Sequence, residues 1–310
     1  MPLDAHLVVT DSGLGGLSIC AALERRLRAE GRRSVRLTYV NAWPFEGRGY
    51  NDLPDLRARA EVFDRALLRC ASWAPDRILI ACNTLSIVYR HTAFARAAAV
   101  PVDGIIDAGV SLLAETMQAE PSAGLVLLGT KTTIESGVHY DALVARGVDP
   151  HRLRAVHCHG LAGAIERDPE SAAVSDLIRG CAARVADADP GGVPLFAGLC
   201  CTHYGYAGDR IAAALGAALR RPVQLLDPND RMVSDQVLPA AAGGAGGGAG
   251  DGSGRVGDNS AIGSGGVSVE VISKVTLDEV ARNAVARLVE PVSPATAQAL
   301  LSYSLVPDLF

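Results

Sequence analysis

The chain has 310 residues, of which 49% are hydrophobic and 20% are charged, and its formal net charge is -5. A chain of this length can bury one large core or two of medium size. The acidic balance argues against a nucleic acid or an anionic membrane as a partner. No apolar run approaches the length of a membrane span, and the N-terminus lacks a signal-peptide pattern. Seven cysteines without regular spacing predict a reduced, cytoplasmic protein rather than a disulfide framework.

Apolar runs of strand length alternate with helical patterns along the chain. Strands are predicted at residues 7–10, 35–40, 78–81, 125–128, 153–156, 193–198, 223–226 and 267–272. Between them, apolar residues recur at helical spacing, most clearly at Leu56, Ala60, Phe63, Leu67 and Cys70. This alternation predicts an α/β protein whose parallel sheets are covered by helices. In such sheets, ligands bind at the carboxyl ends of the strands.

The first predicted strand leads into a glycine loop, DSGLGGLS, which could hold a phosphate. A dinucleotide fingerprint, however, has a third glycine where Ser18 stands, and a P-loop has a Lys-Ser or Lys-Thr pair that this loop lacks. Asp11 at the mouth of the loop would also repel a phosphate. The glycines instead allow close approach of a small substrate, and Ser12 offers it a hydroxyl. The loop is therefore interpreted as one wall of a pocket for a small substrate.

Two cysteines follow two predicted strands in matching positions, in ILIACNTLS (Cys82) and LFAGLCCTHYG (Cys201). Each stands where a strand ends and a helix begins, and a helix N-terminus lowers the pKa of a thiol. Two opposed thiols suit the racemisation of an amino acid, because one thiolate removes the Cα proton and one thiol returns a proton to the other face. His203 is the expected proton partner of Cys201, and Asp11 that of Cys82.

The segment 240–266 is glycine-rich, nearly free of bulky apolar residues and without periodicity. It cannot bury enough surface to offset the entropy of ordering it, which predicts a flexible surface loop. A predicted strand and a helical region follow it. The segment therefore interrupts a domain rather than ending one, and no chemistry is expected from it.

Five segments together resemble the cofactor-independent aspartate/glutamate racemases, and glutamate racemase most closely. They are DSGLGGLS at 11–18, ACNT at 81–84, LLGTKTTIESGVHY at 127–140, HGLAGAIE at 159–166 and CTHY at 201–204. The segments occur in the order of that family. Each motif is weakly specific alone, whereas the ordered set is strongly specific.

The resemblance implies two similar Rossmann-like α/β halves with the active site in the cleft between them. Residues 1–105 and 210–310 would form the first half, which carries the insertion at 240–266, and residues 106–209 would form the second. Each half would contribute one cysteine. The resemblance also implies a homodimer that uses no metal and no pyridoxal phosphate, with glutamate or a related amino acid as the substrate.

Residue roles follow from the same resemblance. Cys82 and Cys201 would be the two acid/bases, with Asp11 and His203 as their partners and Glu166 as a further catalytic residue. The expected substrate-binding residues are Ser12, Pro44, Asn83, Thr84, Thr130, Thr133 and Thr202.

Three segments depart from the family pattern. After the second strand, Asn41 stands in place of an aspartate, the Pro-Tyr-Gly motif reads Pro-Phe-Glu-Gly from Pro44, and Tyr50 comes a few residues later. Gly205 replaces the proline that follows Thr-His-Tyr, and the tail VSVEVISKVTLDEVARN lacks the family ending. These changes leave the proton-transfer residues in place but alter the pocket for the substrate side chain, so an amino acid other than glutamate is an alternative.

Other readings of the cysteines and of the fold stay open at this point. Cys200 and Cys201 could form a vicinal disulfide, and the sequence HCH at 157–159 could suggest a metal, although no second ligand cluster has zinc-like spacing. The cysteines at 20, 70, 158, 181 and 200 are otherwise interpreted as core or surface residues. The chain could also be a related decarboxylase or isomerase of a small carboxylic acid, or a non-catalytic amino-acid-binding protein. The presence of both cysteines favours racemisation, because an enzyme with one cysteine protonates its substrate from a single face.

Overall fold

A computed structural model of the chain describes residues 5–32, 34–97, 100–189, 193–236 and 266–310. Nearly all of the glycine-rich segment predicted to be a flexible loop lies outside the described residues, and Gly266 at its end begins a strand. The strands of the described residues are β1 (Ala5–Asp11), β2 (Ser34–Asn41), β3 (Arg77–Ile80), β4 (Val102–Gly104), β5 (Gly124–Gly129), β6 (Leu153–His157), β7 (Leu195–Cys200), β8 (Val223–Leu226), β9 (Gly266–Ser273) and β10 (Ser304–Leu305).

Helices fill most of the connections between these strands. They are α1 (Leu17–Ala29), α2 (Leu56–Ala71), α3 (Asn83–Tyr89), α4 (Phe94–Ala97), α5 (Ile105–Ala119), α6 (Lys131–Glu135), α7 (Val138–Ala145), α8 (Leu161–Arg167), α9 (Ala172–Ala188), α10 (Gly208–Leu219), α11 (Pro228–Ser234), α12 (Glu279–Val289) and α13 (Pro294–Leu301). Short 3₁₀ helices lie at Tyr50–Asp52, Pro150–Arg152 and Thr202–Ala207. Within the described parts of the chain, no helix is both long enough and apolar enough to cross a membrane.

All eight predicted strands are present, and their ends lie within two residues of the predicted positions. The prediction missed β4 and β10. β4 has three residues, all partly exposed, and β10 has two exposed residues. Strands this short at a sheet edge carry too few side chains to produce a recognisable pattern.

The strands form two parallel sheets, which confirms the predicted fold class. The first sheet has the order β10-β9-β2-β1-β3-β4, and the second has the order β6-β5-β7-β8. Every residue of β1 is buried, as is every residue of β5 and β7, because helices cover both faces of each sheet. The apolar runs in the sequence therefore correspond to the central strands.

The predicted return of the chain to the first half at residue 210 needs correction. β8 pairs with β7 in parallel, with Leu195 opposite Val223, so it forms the edge of the second sheet. α10 packs on α9 of the same half. The chain rejoins the first sheet at β9, which pairs with β2. Sequence position alone did not show which sheet β8 would extend.

Two amphipathic helices illustrate how the predicted stripes are buried. On α1, Leu17, Cys20, Leu23 and Leu27 are all buried against the first sheet. The α2 stripe is also buried except at its first residue, Leu56, which is 38% exposed. Burial of a large apolar side chain contributes about 1.5–3 kcal/mol, so each stripe anchors its helix.

Cys158 and Cys181 are joined by a disulfide, which contradicts the expectation of unpaired cysteines at these positions. Cys158 directly follows β6 and Cys181 lies on α9, and the packing of α9 beside this strand brings their Cα atoms to 5.6 Å. The other five cysteines are buried and free, including Cys200 and Cys201, so the structure contains no vicinal disulfide.

Candidate active site

A cavity of about 680 Å³ lies at the carboxyl ends of β1 and β3 in the first sheet and of β7 in the second. Eleven of the twelve predicted site residues line it: Asp11, Ser12, Cys82, Asn83, Thr84, Thr130, Thr133, Glu166, Cys201, Thr202 and His203. Residues more than a hundred positions apart in the sequence thus meet in one place. The two sheets each contribute one of the two cysteines.

Cys82 occupies the turn between β3 and α3. It is the N-cap residue of α3 and has an extended backbone. Its side chain is 7% exposed, and its Sγ lies 3.2 Å from the hydroxyl of Ser12 in the glycine loop. The two groups can share a hydrogen bond, so Ser12 rather than Asp11 is the direct polar neighbour of this thiol.

The prediction of a lowered pKa is wrong for Cys82. Burial, together with the nearby charge of Asp11, raises the pKa of the Cys82 thiol to about 12, although the hydrogen bond with Ser12 acts in the opposite direction. Removing a thiolate from water costs more than the first turn of a short helix returns. The unliganded site therefore holds a proton on Cys82.

Cys201 lies at the corresponding turn after β7, where it is the N-cap residue of the 3₁₀ helix Thr202–Ala207. Its Sγ is 3.9 Å from Nδ1 of His203, and Nε2 of the same ring is 2.5 Å from Oε2 of Glu166. Burial of His203 works against its protonation, but its hydrogen bonds with Cys201 and Glu166 outweigh burial and raise its pKa well above the usual value. Cys201, His203 and Glu166 thus form a chain of proton-carrying groups.

Glu166 also bridges the two halves of the protein. The carboxylate oxygen that contacts His203, Oε2, accepts a hydrogen bond from the backbone N–H of Leu14 in the glycine loop, at 2.8 Å. Burial alone would raise the pKa of this carboxyl, but the bonds to His203 and Leu14 lower it below its ordinary value. The ionised carboxylate therefore fixes His203 relative to the opposite half.

Asp11 forms a second link between the halves. Thr202 Oγ1 donates a hydrogen bond to Asp11 Oδ2 at 2.9 Å, whereas the buried Oδ1 of Asp11 has no hydrogen-bond partner among the described residues. Burial raises the pKa of Asp11, while the charge of His203 lowers it to a smaller extent. Asp11 influences Cys82 through its charge and contacts the second half through Thr202.

Part of the glycine loop exists for packing between the halves rather than for substrate approach. A Cβ atom on Gly15 would lie 2.4 Å from Thr202 Oγ1 and 2.6 Å from His203 Nδ1, and one on Gly13 would lie 2.6 Å from Glu166 Oε2. Distances this short are not tolerated between non-bonded atoms. The glycines therefore allow the second half to bring Glu166, Thr202 and His203 against the loop.

The substitution Gly15→Ala is expected to lower the free energy of unfolding by about 1–3 kcal/mol, because Thr202 and His203 must move to admit the methyl group. Urea unfolding followed by circular dichroism measures this change. Gly216→Ala on α10 is the control, since its Cβ would meet Arg221 O at an ordinary 3.5 Å. Equal stability of the two variants would contradict the packing role of Gly15.

Several uncharged polar groups face the cavity and suit the carboxylate and ammonium groups of an amino acid. Asn83 is 3% exposed, and neither atom of its amide has a hydrogen-bond partner among the described residues. Thr130 caps α6 and donates from its hydroxyl to Thr133 Oγ1 at 3.0 Å. Because buried polar groups are nearly always paired, the free amide of Asn83 is positioned for a ligand.

In the loop after β2, the residues that reach the cavity are not the ones that were predicted. Pro44 is buried outside the described cavity lining, whereas its neighbour Trp43 and the later Tyr50 line the cavity. Asp52 and Asp278 also line it, and sequence reasoning did not select either one. Tyr50 was the one residue of this loop that the sequence could have indicated, because the family motif also has a tyrosine after the second strand.

The sequence HCH does not form a metal site in the structure, because Cys158 is in a disulfide. Across the described ranges, no group of three or more His, Cys, Asp or Glu side chains is placed to hold a metal ion.

Known proteins share both the sequence pattern and the fold. The glutamate racemase of Granulibacter bethesdensis is 29% identical over 231 residues, which are 73% of this chain and 75% of that protein. The glutamate racemase of Chlorobium phaeobacteroides is 29% identical over 140 residues, so the match spans only 47% of that protein.

Solved structures agree with the two-sheet architecture. The glutamate racemase of Campylobacter jejuni has a TM-score of 0.64 at 20% identity, with 91% of this chain and 98% of that chain covered. The glutamate racemase of Francisella tularensis, solved with D-glutamate, has a TM-score of 0.62 at 18% identity, with 93% and 95% covered. At these identities the likeness establishes the fold. The sequence model of the Asp/Glu/Hydantoin racemase family matches residues 9–235, and the chain therefore belongs to that family.

Proposed function

We propose that this protein is an isomerase that interconverts the L- and D-forms of an amino acid, glutamate or a related one, without a cofactor. One observation carries the proposal. Cys82 and Cys201 stand at corresponding strand ends of two different sheets and line the same cavity, each beside a group that can hold or exchange a proton. The names of the relatives support racemisation, and the family membership supports the absence of a cofactor.

The reaction needs two proton transfers on opposite faces of Cα. A thiolate takes the Cα proton, and the electron pair of the broken C–H bond is delocalised into the substrate carboxylate. The opposing thiol then gives its proton to the other face, and its S–H bond electrons stay on sulfur. The product has the opposite hand, and the thiol and thiolate have exchanged places, so no other reactant is consumed.

The surroundings of the two cysteines differ, which supports different roles for them in the resting enzyme. Burial and Asp11 keep the proton on Cys82, which is ready to act as the acid. The protonated ring of His203 lies beside Cys201, where it can stabilise negative charge on the sulfur during proton abstraction, and this supports Cys201 as the base. The resting enzyme is thus prepared for the enantiomer whose Cα proton faces Cys201. In the reverse direction, the roles are exchanged.

The free amide of Asn83 and the hydroxyls of Thr84, Thr133 and Thr202 would hold the substrate's charged groups. An amino acid brings its own ammonium group, and this positive charge favours ionisation of a nearby thiol. The high pKa of Cys82 in the free protein is therefore compatible with its acting as a base once substrate is bound.

Proton exchange in deuterium oxide tests the proposal. The purified protein, under reducing conditions and without added cofactor, is incubated with single amino acids of each hand. We expect deuterium at Cα together with loss of optical activity for at least one of them. A complete lack of Cα exchange across a broad panel would refute racemisation. Release of carbon dioxide would indicate a decarboxylase, and binding without exchange would indicate a non-catalytic protein.

The proposal includes a homodimer located in the cytoplasm. The family resemblance supports the dimer. Five of the seven cysteines are free, which supports a reducing compartment, whereas the Cys158–Cys181 disulfide is an exception to it. Light scattering on the purified protein measures the assembly, since a dimer has twice the 32.1 kDa mass of one chain.

A further inference from the structure

Two segments that depart from the family pattern, the loop after β2 and the tail after β9, contact each other beside the cavity. Asn41 Nδ2 donates a hydrogen bond to Ser273 Oγ at 3.0 Å, and the backbone N–H of Thr276 donates to Glu46 Oε1 at 2.6 Å. The Asn41 side chain also accepts from the backbone of Trp43. The two departures therefore belong to one feature, a wall of the cavity that is formed by the loop after β2 and the segment after β9 and that differs from the family pattern.

This wall holds Tyr50 in a defined position. Its ring packs edge-on against Phe63, with the ring centroids 6.2 Å apart, and only 3% of the residue is exposed. The next residue, Asn51, accepts a hydrogen bond from Thr132 Oγ1 of the second half at 2.9 Å. Gly49 on the other side leaves room for the Trp43 ring, which a Cβ atom would approach to 2.8 Å. Tyr50 is thus fixed from several directions.

The hydroxyl of Tyr50 is buried and has no hydrogen-bond partner among the described residues, although the residue lines the cavity. Burial raises the pKa of Tyr50 well above its ordinary value. The phenol therefore stays protonated and can donate as well as accept. A buried hydroxyl left unpaired is costly, so this one is positioned to bind a polar group of a ligand.

The charges around the cavity argue against a second carboxylate on that ligand. Among the described lining residues the cationic groups are Arg167, which is exposed on α8, and the protonated His203, which is already paired with Glu166. Four carboxyl groups line the same cavity, those of Asp11, Asp52, Glu166 and Asp278. An anionic side chain would enter a cavity in which acidic groups outnumber basic ones, whereas an uncharged polar side chain would not be repelled.

We propose that Tyr50 determines substrate specificity, and that its hydroxyl hydrogen-bonds an uncharged polar side chain of the substrate, a carboxamide. The inference rests on the proposed racemisation and names the substrate class of that site. A site built to hydrogen-bond a substrate group discriminates strongly against analogues that lack the group. The protein thus prefers a carboxamide amino acid to both the corresponding dicarboxylic amino acid and the apolar isostere.

Two sets of isosteric amino acids test this preference: asparagine, aspartate and leucine, and glutamine, glutamate and homoleucine. We expect kcat/KM for the carboxamide member of one set to exceed that of its carboxylate and apolar counterparts at least tenfold. Tyr50→Phe should lower kcat/KM for the carboxamide at least tenfold, mainly through KM, and leave the apolar isostere within twofold. Tyr140→Phe, on α7 and outside the cavity lining, is the matched control and should change neither.

A higher kcat/KM for the carboxylate member would overturn the inference. An equal loss of kcat/KM for all three members of a set in Tyr50→Phe would also overturn it, because that result indicates a structural role for Tyr50. Calorimetric binding of glutamine and glutamate to the Cys82→Ala variant measures the same preference without turnover. If the wild-type protein exchanges no Cα proton with any amino acid but Cys82→Ala binds glutamine more tightly than glutamate, racemisation is refuted and this inference is supported. Binding of neither, or tighter binding of glutamate, would overturn it.

Discussion

Replacing either Cys82 or Cys201 by alanine is expected to lower the rate of racemisation about 10³-fold, because a positioned acid or base contributes about 10²–10⁴-fold to such a reaction. Each variant lacks one of the two proton carriers, so neither direction of the reaction can be completed. Substrate binding should persist in both, since the uncharged groups around Asn83 remain. Polarimetry measures the rate, and calorimetry measures the binding.

Cys70→Ala is the control for these variants. Cys70 is buried on α2 and free, like the two site cysteines, but it does not line the described cavity. The Cys70→Ala variant should fold and keep near wild-type activity. If Cys82→Ala or Cys201→Ala kept full turnover in both directions, the two-base scheme would be wrong.

The second large effect is expected for Glu166→Gln, which should lower kcat about 10²-fold and move the alkaline limb of the pH profile to lower pH. His203 is protonated up to a raised pKa because its bonds with Cys201 and Glu166 outweigh burial. A neutral amide removes one of these two influences while burial remains. His203 then loses its proton at lower pH, and Cys201 loses its charged neighbour.

The same argument gives the sign of the stability change. A histidine whose pKa is raised by folding stabilises the fold below its unfolded pKa of 6.5, and this contribution is lost as the pH rises through the folded value. In Glu166→Gln the contribution should be smaller and its loss should be complete at lower pH than in the wild type, because only the folded pKa is lowered. Rates and urea unfolding measured between pH 5 and pH 10 show both shifts.

Glu170→Gln is the matched control for the Glu166 variant. Glu170 follows α8 closely, its side chain is 80% exposed, and its ion pair with Arg210 is 3.9 Å long. An exposed pair of this kind contributes little, so the pH profile should stay unchanged. If the pH profile of Glu166→Gln were identical to that of the wild type, Glu166 would not control the protonation of His203.

The thiol pKa shows where local sequence reasoning fails. The position of Cys82 at a strand end before a helix predicted a lowered pKa. In the structure, burial and Asp11 raise it, because α3 has seven residues and the side chain is almost inaccessible to water. Burial depends on what packs over the strand end, and the motif does not contain that information.

Much of the architecture followed from the sequence by itself. Eight strands and the stripes of α1 and α2 were predictable because apolar runs and helical spacing are local properties. Both cysteines, His203 and Glu166 were also predictable, because their motifs place them directly after strands or on one short helix. The carboxyl ends of parallel strands lie at one edge of a sheet, so each cysteine was predictable at the ligand-binding edge of its own sheet. That the two edges face each other across one cavity is a property of the tertiary structure.

Tertiary structure alone decided the rest. It placed β8 in the second sheet, joined Cys158 to Cys181, and brought Thr202 and His203 so close to Gly15 that no side chain fits there. It also placed Tyr50, rather than Pro44, in the wall of the cavity. Each of these outcomes depends on contacts between segments far apart in the chain, and such contacts leave no periodic or motif signal in the sequence.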